Sequence, residues 1–293
     1  MTIHRIATGH ASALLALPEE VDTTAARAAG RALPGGWQLQ PPPAGPQRAA
    51  VEITLGTAGI TADNRGVRIR LPRRAANSDT LAYVTYTALE RSRQQQRMVT
   101  VHATALHAPD GQAVLLLGAK GAGKTSTALA LADRGWVHAG DDLVVLAEDG
   151  EGGLVVWPGK PTAAIRDPHR PLAPKPQHDL QPFAADPAPL GWIVRMAVHP
   201  SLTTASLTPA VPLSVNERLR LHEMLARYIS GLPTPLTGVD LAPYGPVWPL
   251  DTPALARWRS HLITVLEGCR FHYLYAPDPE SAADLLTKEA DAG

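Results

Sequence analysis

The chain of 293 residues holds a single cysteine, Cys269, so it cannot close an internal disulfide, and that thiol is expected to pack in a core. It has no excess of either charge: Lys and Arg number 27, and Asp and Glu also number 27. A general nucleic-acid or membrane-surface binder carries a basic surplus, and none is present. No apolar run approaches the roughly 20 residues that span a bilayer, and the start has no signal-like pattern. Together these absences predict a cytoplasmic protein without nucleic-acid or membrane partners. Aromatic residues are scarce at 5%, whereas proline reaches 28, so many stiff loops are expected.

What is present is a glycine-rich phosphate motif. Gly118-Ala119-Lys120-Gly121-Ala122-Gly123-Lys124-Thr125 fits G-x-x-x-x-G-K-[ST], the P-loop signature. The apolar run Ala113 to Leu117 before it reads as a buried strand. The Ala/Leu-rich run Ser126 to Arg134 after it reads as a helix, stopped by Gly135. Glycines let successive backbone N–H groups turn inward around a phosphate, and the helix N-terminus adds its positive end. Lys124 supplies a point charge for the β- and γ-phosphates, and the Thr125 hydroxyl is placed to ligate Mg²⁺. With Ser126 at the helix start, residues 118–126 form the expected nucleotide contact.

Around this loop the chain divides into a small N-terminal α/β domain, residues 1–97, and a catalytic domain, residues 98–293. In the first, Val51 to Leu55 and Val67 to Leu71 alternate and read as strands joined by a turn at Asp63-Asn64-Arg65-Gly66. A helix capped at Asn77 or Ser78 follows, with Leu81, Val84, Ala88 and Leu89 on one face. In the second, Met98 to Leu106 alternates, and the turn Pro109-Asp110-Gly111 leads back into the loop strand. His102 lies in the first of these strands, where a lone histidine is ordinarily structural. After the loop helix, Asp141 and Asp142 end a short strand. Such a pair can divide its work, one carboxylate holding Mg²⁺ and the other taking a proton from an attacking hydroxyl. A strand returning beside the loop strand would bring both to the phosphates. The plainer reading is a capped polar turn.

These residues carry a resemblance. His102-Ala-Thr-Ala, the hairpin, Gly118–Thr125, a helix ending Ala-Asp-Arg-Gly135, and Ala139-Gly-Asp-Asp142 resemble the catalytic domain of HPr kinase/phosphorylase. They also resemble its distant relatives, among them kinases encoded beside peptide natural-product genes and small-molecule serine kinases. The close likeness covers residues 98 to about 147, with weaker echoes at 191–198, 213–219 and 271–286. It implies the phosphoenolpyruvate-carboxykinase-like form of the P-loop α/β fold, with ATP and Mg²⁺ as cofactors. The implied reaction is phosphoryl transfer to a serine-type hydroxyl. Asp141 is then the expected base, with Asp142 at the metal beside Thr125, or the reverse, and His102 sits near the phosphates. Relatives are often oligomers, which extends the expectation of a homo-oligomer here. Three features depart from the HPr-specific branch: Ser126 stands where that branch has an acidic residue, Lys120 replaces a serine, and the E-[IV]-R-G-[LIV]-G signature is absent. HPr itself is therefore not the expected acceptor.

Pro158 to Pro189 is dense in proline and reads as an acceptor-recognition region, with Lys160 and Arg166 as candidate contacts for phosphate or an acidic acceptor. Arg195, inside a buried strand, must pair or reach a site. Ser214 and Glu217 form a capping box, opening a helix with Leu219, His222, Leu225 and Ile229 inward. Thr252-Pro253 opens another helix, ended by Gly268. The expected function is a Mg²⁺/ATP-dependent kinase acting on a hydroxyl of a peptide, protein or small metabolite. The alternative is a non-catalytic nucleotide-binding regulatory module, which has no need of a second carboxylate.

Overall fold

The computed structural model describes residues 1–7, 12–42, 44–45, 50–63, 65–165, 175–229 and 250–292. Arg166 and Asn64 lie outside them. The architecture is mixed α/β with several sheets, in two compact units: residues 1–100 with 222–260, and residues 101–221 with 261–293.

The first unit begins with β1 (Thr2–Ala7) and β2 (Ser12–Leu17), followed by α1 (Thr24–Ala29) and β3 (Gln38–Gln40). Then come β4 (Val51–Leu55), β5 (Gly59–Asp63), β6 (Gly66–Leu71), α2 (Arg73–Ala76) and α3 (Thr80–Gln95). Its sheet has the order β3-β1-β2-β4-β6-β5. β4 and β6 are not the two arms of one hairpin. The weakly patterned β5 intervenes and pairs antiparallel with β6, which leaves β4 and β6 parallel. Leu15, Val51, Ile53, Val67 and Ile69 are buried, as are Leu81, Val84 and Leu89 of α3.

The polar end of α3 is buried as well. Glu90 accepts from the Thr100 amide and from Gln94 Nε2, each at 3.0 Å. Arg93 lies 3.7 Å from the other Glu90 oxygen and stacks 4.0 Å over the Tyr86 ring. Arg259 donates to Gln94 Oε1 at 2.7 Å. Glu90 and Arg93 stay buried at this helix end because they pair with each other and with neighbouring polar groups.

The chain enters the second unit within β7 (Met98–Val101) and continues through β8 (Thr104–His107), β9 (Ala113–Leu117), α4 (Lys124–Ala132), β10 (Val137–Gly140), β11 (Val144–Glu148) and β12 (Leu154–Trp157). β13 (Thr162–Ala164), β14 (Gln177–Asp179), β15 (Ala188–Val198), β16 (Ser206–Pro209), α5 (Val215–Ala226), α6 (Pro253–Gly268), β17 (Arg270–Ala276) and α7 (Pro279–Ala292) complete the chain. Within the unit the strand order runs β10-β8-β9-β15-β12-β11, and β17 pairs with β15. β9, β15 and β17 are parallel. The strand ending in the two aspartates does not return directly beside β9, because β8 lies between them. β8 is antiparallel to both, so β10 and β9 point the same way and end at the same edge of the sheet. Leu106, Val114, Leu116, Trp192 and Val194 pack with Ala128 and Leu131 of α4 and Ala282 and Leu286 of α7.

α5 departs in part from its expected phase: Leu225 is buried as expected, as is Ile229 beyond the helix end, but Leu219 and His222 are not. Glu217, Leu221 and Leu225 are buried, whereas Leu219 is 56% exposed and His222 is exposed. The cause is Glu217. Its amide donates to the Ser214 hydroxyl at 3.2 Å, as a capping box requires, but its carboxylate turns inward to Arg195. Cys269 is half-buried, with its thiol directed at the Val265 carbonyl. Among the described residues no helix is long and apolar enough to cross a membrane.

Candidate active site

The glycine loop fills the gap between the last residue of β9 and the first of α4. Gly121 and Gly123 take left-handed conformations, with φ of 86° and 88°. Gly118 answers a different demand: a Cβ there would stand 2.7 Å from Ala122 Cβ and 2.8 Å from the Met196 carbonyl. The Val198 amide donates to the Ala122 carbonyl at 3.0 Å and ties the loop to β15. Lys124 is buried, and its ammonium folds back on the Gly118 carbonyl at 2.9 Å and the Ala119 carbonyl at 3.3 Å. Ala119, Lys120, Gly121 and Ser126 face outward.

Opposite the loop, β10 delivers Asp141 and Asp142 into unlike surroundings. Asp141 is 2% exposed. Its Oδ1 accepts from the Thr104 hydroxyl at 2.6 Å and the Thr125 hydroxyl at 2.9 Å. Burial pushes its carboxyl above the ordinary range and the Asp142 charge adds to this, while the two hydroxyls and the Lys160 charge oppose it. The loop threonine thus meets Asp141, not Asp142. Asp142 adopts a left-handed φ of 63° and leaves its side chain 45% exposed. Its carbonyl accepts from His102 Nδ1 at 3.1 Å, which fixes the proton on that nitrogen. His102 lies not in a strand but in the bend between β7 and β8, and from there it braces the aspartate turn.

Lys160 joins this cluster through the backbone. The Asp141 amide donates to the Lys160 carbonyl at 3.1 Å, and the Lys160 amide donates to the Leu143 carbonyl at 2.8 Å. Its ammonium lies 3.8 Å from Asp142 Oδ2. Arg195 stands apart, its guanidinium held by Glu217, with Nε 3.0 Å from the carboxylate. Thr104 received no role from the sequence. Its signal was slight: a hydroxyl two positions after His102, at the start of the strand that separates β9 from β10.

The donor set suits a hard divalent cation. The Thr125 hydroxyl and the Asp141 carboxylate offer oxygen donors in contact at a helix N-terminus. Among the described residues no three His, Cys, Asp or Glu side chains gather for a metal. One carboxylate, one hydroxyl and added phosphate and water oxygens is the ligand pattern of Mg²⁺ at nucleotides.

No family model matches the chain, and no curated protein matches it. Among solved structures, the chain is similar to the Hpr(Ser) kinase/phosphatase from Coxiella burnetii, with 20% identity and a TM-score of 0.28, over 37% of this chain and 75% of that one. A likeness so partial leaves function to the site's own atoms.

Proposed function

We propose that this protein is an ATP- and Mg²⁺-dependent kinase that transfers the γ-phosphoryl group to a hydroxyl of a peptide, protein or small metabolite. The observation that carries this reading is the hydrogen bond from Thr125 to Asp141, which joins a phosphate-type loop to a carboxylate pair. Loop amides and Lys124 hold the β- and γ-phosphates, the ammonium exchanging its carbonyl partners for phosphate oxygens. Thr125 and Asp141 hold Mg²⁺, which supplies positive charge to the phosphate oxygens when bound.

The base is assigned to Asp142. Asp141 is buried and already accepts two hydroxyls, whereas Asp142 is half-exposed and free to meet an acceptor. The acceptor oxygen bonds to the γ-phosphorus as the bond to the β–γ bridging oxygen breaks. The hydroxyl proton passes to the Asp142 carboxylate, and ADP leaves with the electron pair. His102 keeps the aspartate turn in its left-handed form, and Thr104 holds Asp141 toward the loop.

The test follows radiolabelled γ-phosphate into a panel of serine peptides, free serine and hydroxyl metabolites. Wild type is expected to label at least one, and Asp142→Asn to transfer about a thousandfold more slowly. Equal rates would remove Asp142 from the mechanism. Nucleotide binding without transfer to any acceptor would make the protein a regulatory nucleotide binder instead.

A further inference from the structure

Lys160 is a lysine in an unusual position. It is 7% exposed, and its backbone is laced to the aspartate turn on both sides: its carbonyl to Asp141 and its amide to Leu143. Gly159 adds a third tie, from its amide to the Ala139 carbonyl at 2.6 Å. The fit leaves no slack, since a Cβ on Gly159 would stand 2.0 Å from the Leu143 carbonyl oxygen. The backbone of Lys160 is therefore held beside the aspartate turn.

Its ammonium is nonetheless underused. An ammonium carries three donors. The contact with Asp142 Oδ2 at 3.8 Å is an ion pair beyond hydrogen-bond reach, and no hydrogen bond of the ammonium exists among the described residues. A mostly buried cation placed beside the aspartate pair can donate to an anionic oxygen that approaches those carboxylates. The electrostatics of transfer point the same way. A hydroxyl held by Asp142 and a phosphoryl group about 3 Å beyond it bring negative oxygens toward a negative carboxylate. That approach is disfavoured unless a cation stands beside both.

Resting on the kinase reading, the geometry points to Lys160 as a second phosphoryl-binding cation. Lys124 holds the nucleotide's phosphates from the loop side. Lys160 donates from the carboxylate side to the non-bridging oxygens of the phosphoryl group in flight. Its stabilisation is greatest when that group lies between donor and acceptor, so Lys160 contributes to transfer more than to binding. It is a catalytic residue that the glycine-loop motif does not contain.

The experiment needs no acceptor. ADP binding is measured by calorimetry with Mg²⁺, with and without aluminium fluoride, a mimic of the phosphoryl group in flight. Wild type, Lys160→Met and Lys160→Arg are compared. Fluoride is expected to tighten ADP binding to wild type. Lys160→Met is expected to bind ADP alone within about twofold of wild type and to lose about a hundredfold of the tightening. Lys160→Arg should restore part of it. Unchanged ADP affinity also shows that the variants are folded. Full tightening in Lys160→Met overturns the proposal, as does a wild type that binds ADP but gains nothing from fluoride; both leave the nucleotide site standing. A wild type that binds no ADP overturns the kinase reading itself.

Discussion

The Thr125 hydroxyl stands 2.9 Å from Asp141 Oδ1, so the first turn of α4 and the end of β10 meet at one buried carboxylate. The strand order makes this meeting possible. β8 lies between β9 and β10 and runs against both, so the two strands end together. The start of β8 then falls at the same edge, and Thr104 completes the grip on Asp141.

Thr104→Val tests that grip. The substitution keeps the shape and removes the donor, leaving a buried carboxylate short of one hydrogen bond. A loss of about 1–3 kcal/mol in denaturant unfolding is expected. Thr104→Ser should recover most of it. Thr104→Val as stable as wild type would mean that the bond contributes nothing net.

The loop glycines should differ in cost. At Gly121 nothing lies within 4 Å of an added Cβ, so Gly121→Ala meets only the strain of its left-handed φ, about 1–2 kcal/mol. At Gly123 the same strain is joined by a Cβ 2.6 Å from Val198 Cβ. Gly123→Ala should therefore cost more, and adding Val198→Ala should recover only the part owed to Val198 Cγ2 at 2.9 Å, because alanine keeps the Cβ. Equal costs at the two positions, measured by thermal and denaturant unfolding, would contradict this assignment.

These features differ in how far the sequence reveals them. The glycine loop, its flanking strand and helix, and the hairpin before it are legible because each is specified within a few residues. The Thr104–Asp141 bond is not, because it depends on which strand separates β9 from β10. Leu219 and His222 at the inward face of α5 are misread for a related reason, while Leu225 and Ile229 are buried as read. A capping glutamate normally turns toward its own helix start, and here Arg195 draws it inward. Lys160 is visible as a cation in a proline-rich stretch, but its place beside Asp142 comes from long-range backbone bonds.

In the first unit, Glu90→Ala should be among the most damaging single changes. Glu90 and Arg93 are both fully buried, and removing the carboxylate takes away the counter-charge of the guanidinium and the acceptor of the Thr100 amide. A loss of about 3–5 kcal/mol is expected from denaturant unfolding. A loss under about 1 kcal/mol would show that water or rearrangement satisfies Arg93.

His138 gives the fold a dependence on pH. Its ring is buried, neither nitrogen has a hydrogen-bond partner among the described residues, and burial lowers its pKa from the usual 6.5. A base that titrates lower when folded contributes stability that is complete above its unfolded value. That contribution is lost as pH falls from about 6.5 through the lowered folded value. His107 and His272 are shifted in the same direction, so wild type should lose stability below that pH at more than one site. His138→Leu should flatten the loss without abolishing it. An unchanged slope of Tm against pH would mean that His138 is neutral in both states, or solvated.

The most direct measurement is ATP binding by calorimetry, with Mg²⁺ and with chelator, for wild type and Asp141→Asn. Mg²⁺ should tighten ATP binding to wild type at least about tenfold, and Asp141→Asn should lose most of that gain while still binding ATP through the loop. A wild type indifferent to Mg²⁺, or an Asp141→Asn variant that keeps the full gain, would contradict the assignment of Thr125 and Asp141 as the metal end of a phosphoryl-transfer site.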